Sequence, residues 1–354
     1  MQFDYPASIL AAFGLTAFLL LLLRPAAFHI GLVDHPDKRK QHGGAVPLIG
    51  GIAMFVGFCF SILTLDISIS WLRAFFAGSV ILIITGVLDD LHELSTTARF
   101  IAQIIATTIM AVWGGVVLND FGHLVSTAFV VELGWLAVPV TVFSAIGVIN
   151  ALNMLDGIDG LAGFIALVAV GGMAVISFSA GDMNTLLTLG LFAAVLVAFL
   201  IFNLRCNKEN CSLAFMGDAG SMFLGFVLSW FLISLSQGEQ RAMAPVTALW
   251  FFGVPLVETI TMMIKRIRHG RSPFSADREH LHHMLEVAGF SDRVTLLMIV
   301  CASVLFALAG LLGHFLQISE PLMFYSFLAV FGFYLILIKQ GWRVLRGKAD
   351  ESKF

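Results

Sequence analysis

The run SWLRAFFAGSVILIITGVLDD, residues 70–90, decides how the rest of the chain is read. Its apolar part, Ser70–Leu88, is close to the ~20 residues that an α-helix needs to cross the hydrocarbon core of a bilayer. It ends on two adjacent carboxylates, Asp89 and Asp90. An uncompensated carboxylate near lipid is unfavourable and is usually retained for function. Two side by side repel, so keeping both ionised calls for a nearby cation. Mg²⁺, which takes one or two carboxylates together with water and phosphate oxygens, suits such a pair. Taken alone, the pair is equally well read as a solvated helix end.

Ten more apolar stretches flank this one. In order, the eleven are Ala7–Leu23, Val46–Leu65, Ser70–Leu88, Arg99–Leu118, Leu133–Leu152, Ile158–Ala180, Thr185–Asn203, Ala219–Leu235, Ala244–Ile264, Val294–Leu316 and Pro321–Ile338. Hydrophobic residues make up 59% of the 354 and charged residues only 12%, with a mean hydropathy of +0.95. That balance excludes a soluble globular class and predicts an all-α polytopic membrane protein, one integral domain over 1–354. The first stretch does not read as a cleavable leader, because Asp4 and no cation precedes it. The cysteines Cys59, Cys206, Cys211 and Cys301 form no disulfide framework and read as structural thiols.

Lys and Arg in the loops set the orientation. With the N-terminus on the periplasmic side, 18 of the 20 Lys and Arg fall at the cytoplasmic face, and Arg73 and Arg241 at the other. The C-terminus is then cytoplasmic, with a short tail over 341–354. Asp89, Asp90, Asp156, Asp159 and Asp218 all lie at that cytoplasmic face. Five carboxylates at one water boundary predict a metal and phosphate site there.

Four further motifs carry chemistry. In Asn150-Ala-Leu-Asn153-Met-Leu-Asp156-Gly-Ile-Asp159 the polar side chains recur every three residues, so they share one slowly drifting helix face. An amide-lined helix contact is the plainer reading, and it leaves two carboxylates unexplained. Phe215-Met-Gly217-Asp218-Ala-Gly220-Ser221 puts a glycine-flanked acid at a helix start, where it serves either as an N-cap or as a metal ligand. The loop 265–293 reads as the cytoplasmic substrate-recognition segment. It carries Lys265, Arg266, Arg268, Arg271 and Arg278, cations suited to phosphates, and then His280, His282 and His283. Lacking a four-ligand set, those histidines fit phosphate or sugar hydrogen bonding better than Zn²⁺. A positive-inside loop explains the cations but not the histidines. Finally, Lys40 and His42 lie in a basic Gly/Pro-rich helix entry that suits either a lipid headgroup or a diphosphate.

Together these motifs resemble the polyprenyl-phosphate N-acetylhexosamine-1-phosphate transferase family, that of WecA, TagO and MraY, from about Asp34 to Phe290. The resemblance implies Mg²⁺-dependent transfer of a sugar 1-phosphate from a UDP-sugar to undecaprenyl phosphate with release of UMP, Mn²⁺ being a conceivable substitute. It implies an initiating step of lipid-linked glycan synthesis of the O-antigen or enterobacterial common antigen type, in the bacterial inner membrane. By position it gives Asp89, Asp90 and Asp159 catalytic roles and assigns the metal to Asp218 with Asp90. Asn150, Asn153, Asp156 and Phe215 then serve the nucleotide, and Lys40, His42, Arg266, Arg278 and the histidines the substrates. Met284 stands where muramoyl-pentapeptide transferases carry a third consecutive histidine, which favours the WecA-like branch and UDP-GlcNAc or a related UDP-HexNAc. The partners expected are that donor, undecaprenyl phosphate, membrane lipid and, as an option, a second copy in a homodimer; no nucleic acid is expected. The competing class is a polytopic transporter or flippase, which would place its ionisable groups near the midplane. Glu258 is the one acid inside a predicted span.

Overall fold

The computed structural model describes residues 5–35, 44–63, 70–204, 212–270, 272 and 280–351. Lys40, His42, Arg278, Cys206 and Cys211 lie outside them. The described residues form thirteen α-helices and one two-stranded hairpin, and divide into two compact units.

The first unit comprises Met1–Asp120 and Glu132–Met243. It contains α1 (Tyr5–Ile30), β1 (Val33–Asp34), β2 (Val46–Pro47), α2 (Gly50–Ile62), α3 (Arg73–His92) and α4 (Thr96–Thr108). It continues with α5 (Ala137–Leu155), α6 (Leu161–Ala180), α7 (Met183–Asn203) and α8 (Gly217–Ser236). The strands pair antiparallel, Val33 opposite Pro47 and Asp34 opposite Val46.

Helix α8 is the axis of this unit, with nearly every residue buried. Between lipid-embedded helices there is little hydrophobic driving force, so close packing does the work, and small residues allow it. Gly51 of α2 sits against the Gly220 backbone, and Gly86 of α3 sits against Ala219. A Cβ at Gly225 would lie 2.5 Å from Cα of Ile149 on α5. Three helices are thereby drawn onto α8, and the ends of α3 and α5 meet its start. Lower down, Phe58, Phe75, Phe192 and Phe223 interlock edge to face, and the Phe75 ring lies 5.4 Å from that of Trp230.

The second unit comprises Phe121–Val131 and Ala244–Phe354. Its helices are α9 (Pro245–Phe251), α10 (Gly253–Arg268), α11 (Leu281–Val287), α12 (Asp292–Phe315) and α13 (Glu320–Glu351). Trp250, Phe306 and Phe327 form its aromatic core.

Among the described residues, nine helices are long and apolar enough to cross a membrane, and α9 with α10 makes ten if taken as one bent span. The pair turns by 81° where the sequence predicts one straight run over Ala244–Ile264. Pro255 accounts for the break: it has no N–H for the Phe251 carbonyl four residues back, and its ring excludes a continuous helix there. In the second predicted stretch the described residues form β2 and then the 13-residue α2. Helix α13 runs past Ile338, where the apolar run ends, into the segment expected to be a tail.

Candidate active site

In the first unit, the carboxylates gather where α3, α5 and α8 meet. Asp89, buried in the last turn of α3, accepts the Leu94 amide at 2.7 Å and Arg99 Nη1 at 3.0 Å. Glu93 takes a left-handed conformation (φ 49°) and Ser95 caps α4, so the chain folds back at once and Arg99 points at the acid. A cation in the first turn of a helix opposes the helix dipole and therefore needs a partner. Arg99 has two, because its Nη1 also lies 4.0 Å from Asp218 Oδ2.

Asp90 does something the sequence does not disclose. Its Oδ1 accepts the Asp218 amide at 2.9 Å, and its Oδ2 lies 3.4 Å from the Ala219 amide. It therefore caps the start of α8 from another helix, satisfying amides that have no partner within their own helix. Gly217 makes room for this. Its φ is +69°, and a Cβ there would stand 2.5 Å from Asp90 Oδ2.

Asn153, near the end of α5, donates from Nδ2 to Asp218 Oδ1 at 2.5 Å and to Ser221 Oγ at 2.9 Å. Asp218 and Asp89 lie on either side of Arg99 Nη1, at 4.0 and 3.0 Å. Asp156 follows as the exposed end of α5, close enough to feel the charges of both Asp218 and Asp159. Asp159 accepts the Ser212 hydroxyl at 2.6 Å. Beside it Gly160, at φ +82°, gives its amide to Asn203 Oδ1 at 2.6 Å, which holds the α5–α6 turn. Asn150 turns to Gln103 of α4, Nδ2 to Oε1 2.7 Å. Phe215 is fixed by its backbone: its amide donates to the Pro47 carbonyl at 2.8 Å, and its carbonyl accepts from Gly50 at 2.9 Å.

Several carboxylates thus crowd around Arg99, and that concentration of like charge favours binding another cation. Among the described residues, no three His, Cys, Asp or Glu side chains form a ready metal cage. Mg²⁺ does not require one, since water and substrate phosphates complete its shell. Asp218, partly exposed, and Asp156, exposed at the end of α5, are the acids best placed to hold it. Asp90 is a poorer donor because each of its oxygens already faces a backbone amide.

The histidines belong to the second unit. His280 stands at the N-cap position of α11 without a side-chain capping bond, and its Nδ1 faces Glu258 Oε1 at 3.1 Å. His282 is buried, and neither of its ring nitrogens has a partner among the described residues. Burial, with His283 and His280 beside it, holds its pKa down at about 3, so the ring is neutral near pH 7. His283 Nδ1 lies 3.0 Å from Glu286. Arg266, in the last turn of α10, is buried.

Sequence reasoning counted Arg99 only as a loop charge and overlooked Ser212, Asn203 and Gln103. For Arg99 a signal existed: a cation on the wrong end of a helix, ten residues after a carboxylate pair. The other three are remote in sequence from the residues they hold.

Residues 72–236, which include α3 to α8 and all five acids, match the family model described as Glycosyl transferase family 4. The undecaprenyl-phosphate alpha-N-acetylglucosaminyl 1-phosphate transferase of Yersinia pestis is 38% identical over 329 residues, covering 92% of this chain and 89% of that protein. Its namesake from Haemophilus influenzae is 36% identical, covering 94% of each. The one from Escherichia coli K12 is 34% identical, covering 96% of this chain and 92% of its own length.

Proposed function

The chain belongs to glycosyl transferase family 4, and on that premise we propose that it transfers N-acetylglucosamine 1-phosphate from UDP-GlcNAc to undecaprenyl phosphate and releases UMP. The observation that carries this is identity of 34–38% with transferases of that name along nine-tenths of both chains. The acid cluster supplies the matching chemistry.

An oxygen of the lipid phosphate attacks the β-phosphorus of the donor. The bond from that phosphorus to the bridging oxygen breaks, and UMP leaves with the electron pair. One pyrophosphate linkage is exchanged for another, so the reaction is close to balanced and runs both ways. Phosphoryl transfer chiefly needs positioning and charge neutralisation. Asp218 and Asp156 would hold Mg²⁺, which would neutralise the donor phosphates. Arg99 adds a fixed positive charge beside Asp218, and Asp89 orients Arg99. Asp90 and Gly217 fix the helix start from which Asp218 projects. Asp159, held by Ser212, stands at the turn beside Asp156. Direct attack accounts for every residue seen here without a phospho-enzyme.

The 18-to-2 distribution of Lys and Arg supports an inner-membrane protein of eleven spans with its site at the cytoplasmic face. That reading counts α2 and the bent α9–α10 pair as spans. The histidines and Arg266 are assigned to the donor.

The test is UMP release by membranes carrying the protein. UMP should appear only when UDP-GlcNAc, undecaprenyl phosphate and Mg²⁺ are all present. Lipid-independent movement of UDP-GlcNAc into vesicles, without UMP, would mark a transporter instead.

A further inference from the structure

Glu258 is 1% exposed, inside an apolar span, and takes no part in the chemistry assigned to the first unit. A buried carboxylate there is unfavourable unless its oxygens are satisfied, and a leucine would serve packing better. Two other elements reach it. Oε1 accepts the Leu281 amide at 2.8 Å and faces His280 Nδ1 at 3.1 Å, while Oε2 meets the Tyr334 hydroxyl of α13. Oε1 thus acts as an acceptor toward both, with Nδ1 of His280 carrying the hydrogen that faces it.

Helix α11 has only seven residues, too few to be stable alone. Something must hold it, and the contacts name what does. Tyr334, Ile338, Gly341 and Trp342 follow an i, i+4, i+7, i+8 spacing and so share one face of α13. Ile338 is buried, Gly341 lies against Met284 of α11, and the Trp342 ring receives Lys265 Nζ of α10 at 5.8 Å from its centre. One helix face therefore touches Glu258, the histidine helix and the end of α10. The brace also fixes His282, since its ring stacks on that of His280, 5.7 Å apart and 7° from parallel. All of these residues lie beyond position 236, outside the part of the chain that matches the family model.

We propose that Glu258 and Tyr334 are positioning residues that hold the His280–His283 segment in its working conformation, with the C-terminal helix as the brace. The inference rests on the donor-binding role assigned to those histidines.

The experiment uses the full chain purified in detergent and reads two things. Hydrogen exchange at the Leu281 amide reports the brace without reference to activity. Steady-state kinetics with donor and lipid varied separately report its consequence. Glu258→Leu should speed exchange at residues 281–287 by about tenfold or more, as expected for loss of hydrogen bonds to a charged acceptor. It should cut kcat/KM for UDP-GlcNAc by a similar factor while KM for undecaprenyl phosphate stays within about twofold. Glu258→Gln keeps an acceptor oxygen and should recover most of the loss. Tyr334→Phe, which deletes one hydroxyl, should move both readouts in the same direction by less, and it carries the test where Glu258→Leu does not fold. Unchanged exchange in both variants overturns the proposal, as does an equal rise in KM for donor and lipid. Faster exchange in Glu258→Leu, together with normal donor kinetics in His282→Ala, upholds the brace and instead removes the histidines' role toward the donor.

Discussion

Asp90→Asn separates building the active site from using it. Asp90 gives one oxygen to the Asp218 amide at 2.9 Å and the other to the Ala219 amide at 3.4 Å. Asparagine keeps one acceptor and turns an NH₂ group toward the second amide, so one bond is lost and a donor faces a donor. A hydrogen bond to a charged group contributes about 1.5–3 kcal/mol. The charge itself, at a helix start, adds about 0.3–1 kcal/mol. The lost bond is the weaker one if the side chain settles with its oxygen toward Asp218, so the expected cost is about 2 kcal/mol. Asp218→Asn is different. It leaves the backbone amide that Asp90 caps, keeps an acceptor for Asn153, and removes one negative charge from beside Asp89. No loss of stability is expected, and a small gain is natural. The assay is thermal unfolding of each purified variant in detergent, paired with turnover. Both should lose turnover by about a hundredfold or more, but only Asp90→Asn should unfold earlier. A cost of 1 kcal/mol moves the midpoint about 2–4 °C in domains of 150–250 residues and less in a longer chain, so the shift should be a few degrees. An Asp90→Asn variant as stable as the parent yet inactive would refute the capping role and put Asp90 on the substrate. Earlier unfolding of Asp218→Asn would refute the view that Asp218 is charge held against its neighbours.

Arg99→Ala should lower turnover by about a hundredfold and lower stability as well, because it leaves the buried Asp89 carboxylate without its cation among like charges. Arg99→Lys should recover part of the rate, and full activity of the alanine variant would remove Arg99 from the site. His282 gives a pH dependence with a definite sign. Below its ordinary value of 6.5 the unfolded chain binds a proton that the folded ring refuses until about pH 3. Stability should therefore fall as pH falls through that window, at up to about 1.4 kcal/mol per pH unit from this ring. His282→Gln should flatten the acid limb of unfolding curves by that amount, and an unchanged slope would contradict a neutral buried ring. The donor should be UDP-GlcNAc, with the UDP-muramoyl-pentapeptide rejected in a competition assay. Equal turnover of the two would place the chain on the other branch.

The apolar runs were legible because crossing a bilayer demands length and hydropathy together, and among the described residues nine such helices stand near their predicted positions. The bend at Phe252 was not read, although Gly253 and Pro255 both mark it, because hydropathy alone runs smoothly through them. Helix α13 outlasts its apolar run because a helix stops at a cap and not at the membrane edge. In the site, the sequence named Asp218, Asp156 and Asn153, and the structure brings them together with Asp89 and Asp90. The division of labour among the acids was invisible: Asp90 meets Asp218 across 128 residues of chain, and no local pattern records which carboxylate caps and which stays open. Glu258 was legible only as an anomaly, a carboxylate in the wrong solvent, because its partners lie 22 to 76 residues away.

The measurement that bears most directly on the central claim is the fate of a doubly labelled donor. UDP-GlcNAc carrying one isotope in the sugar and another in the β-phosphorus is given to the purified protein with undecaprenyl phosphate and Mg²⁺. Attack at the β-phosphorus predicts that both labels enter the lipid in equal amounts, with unlabelled UMP released one for one. Sugar label entering the lipid without phosphorus label, with UDP released, would contradict the account, because the bond broken would then be the one at the sugar carbon.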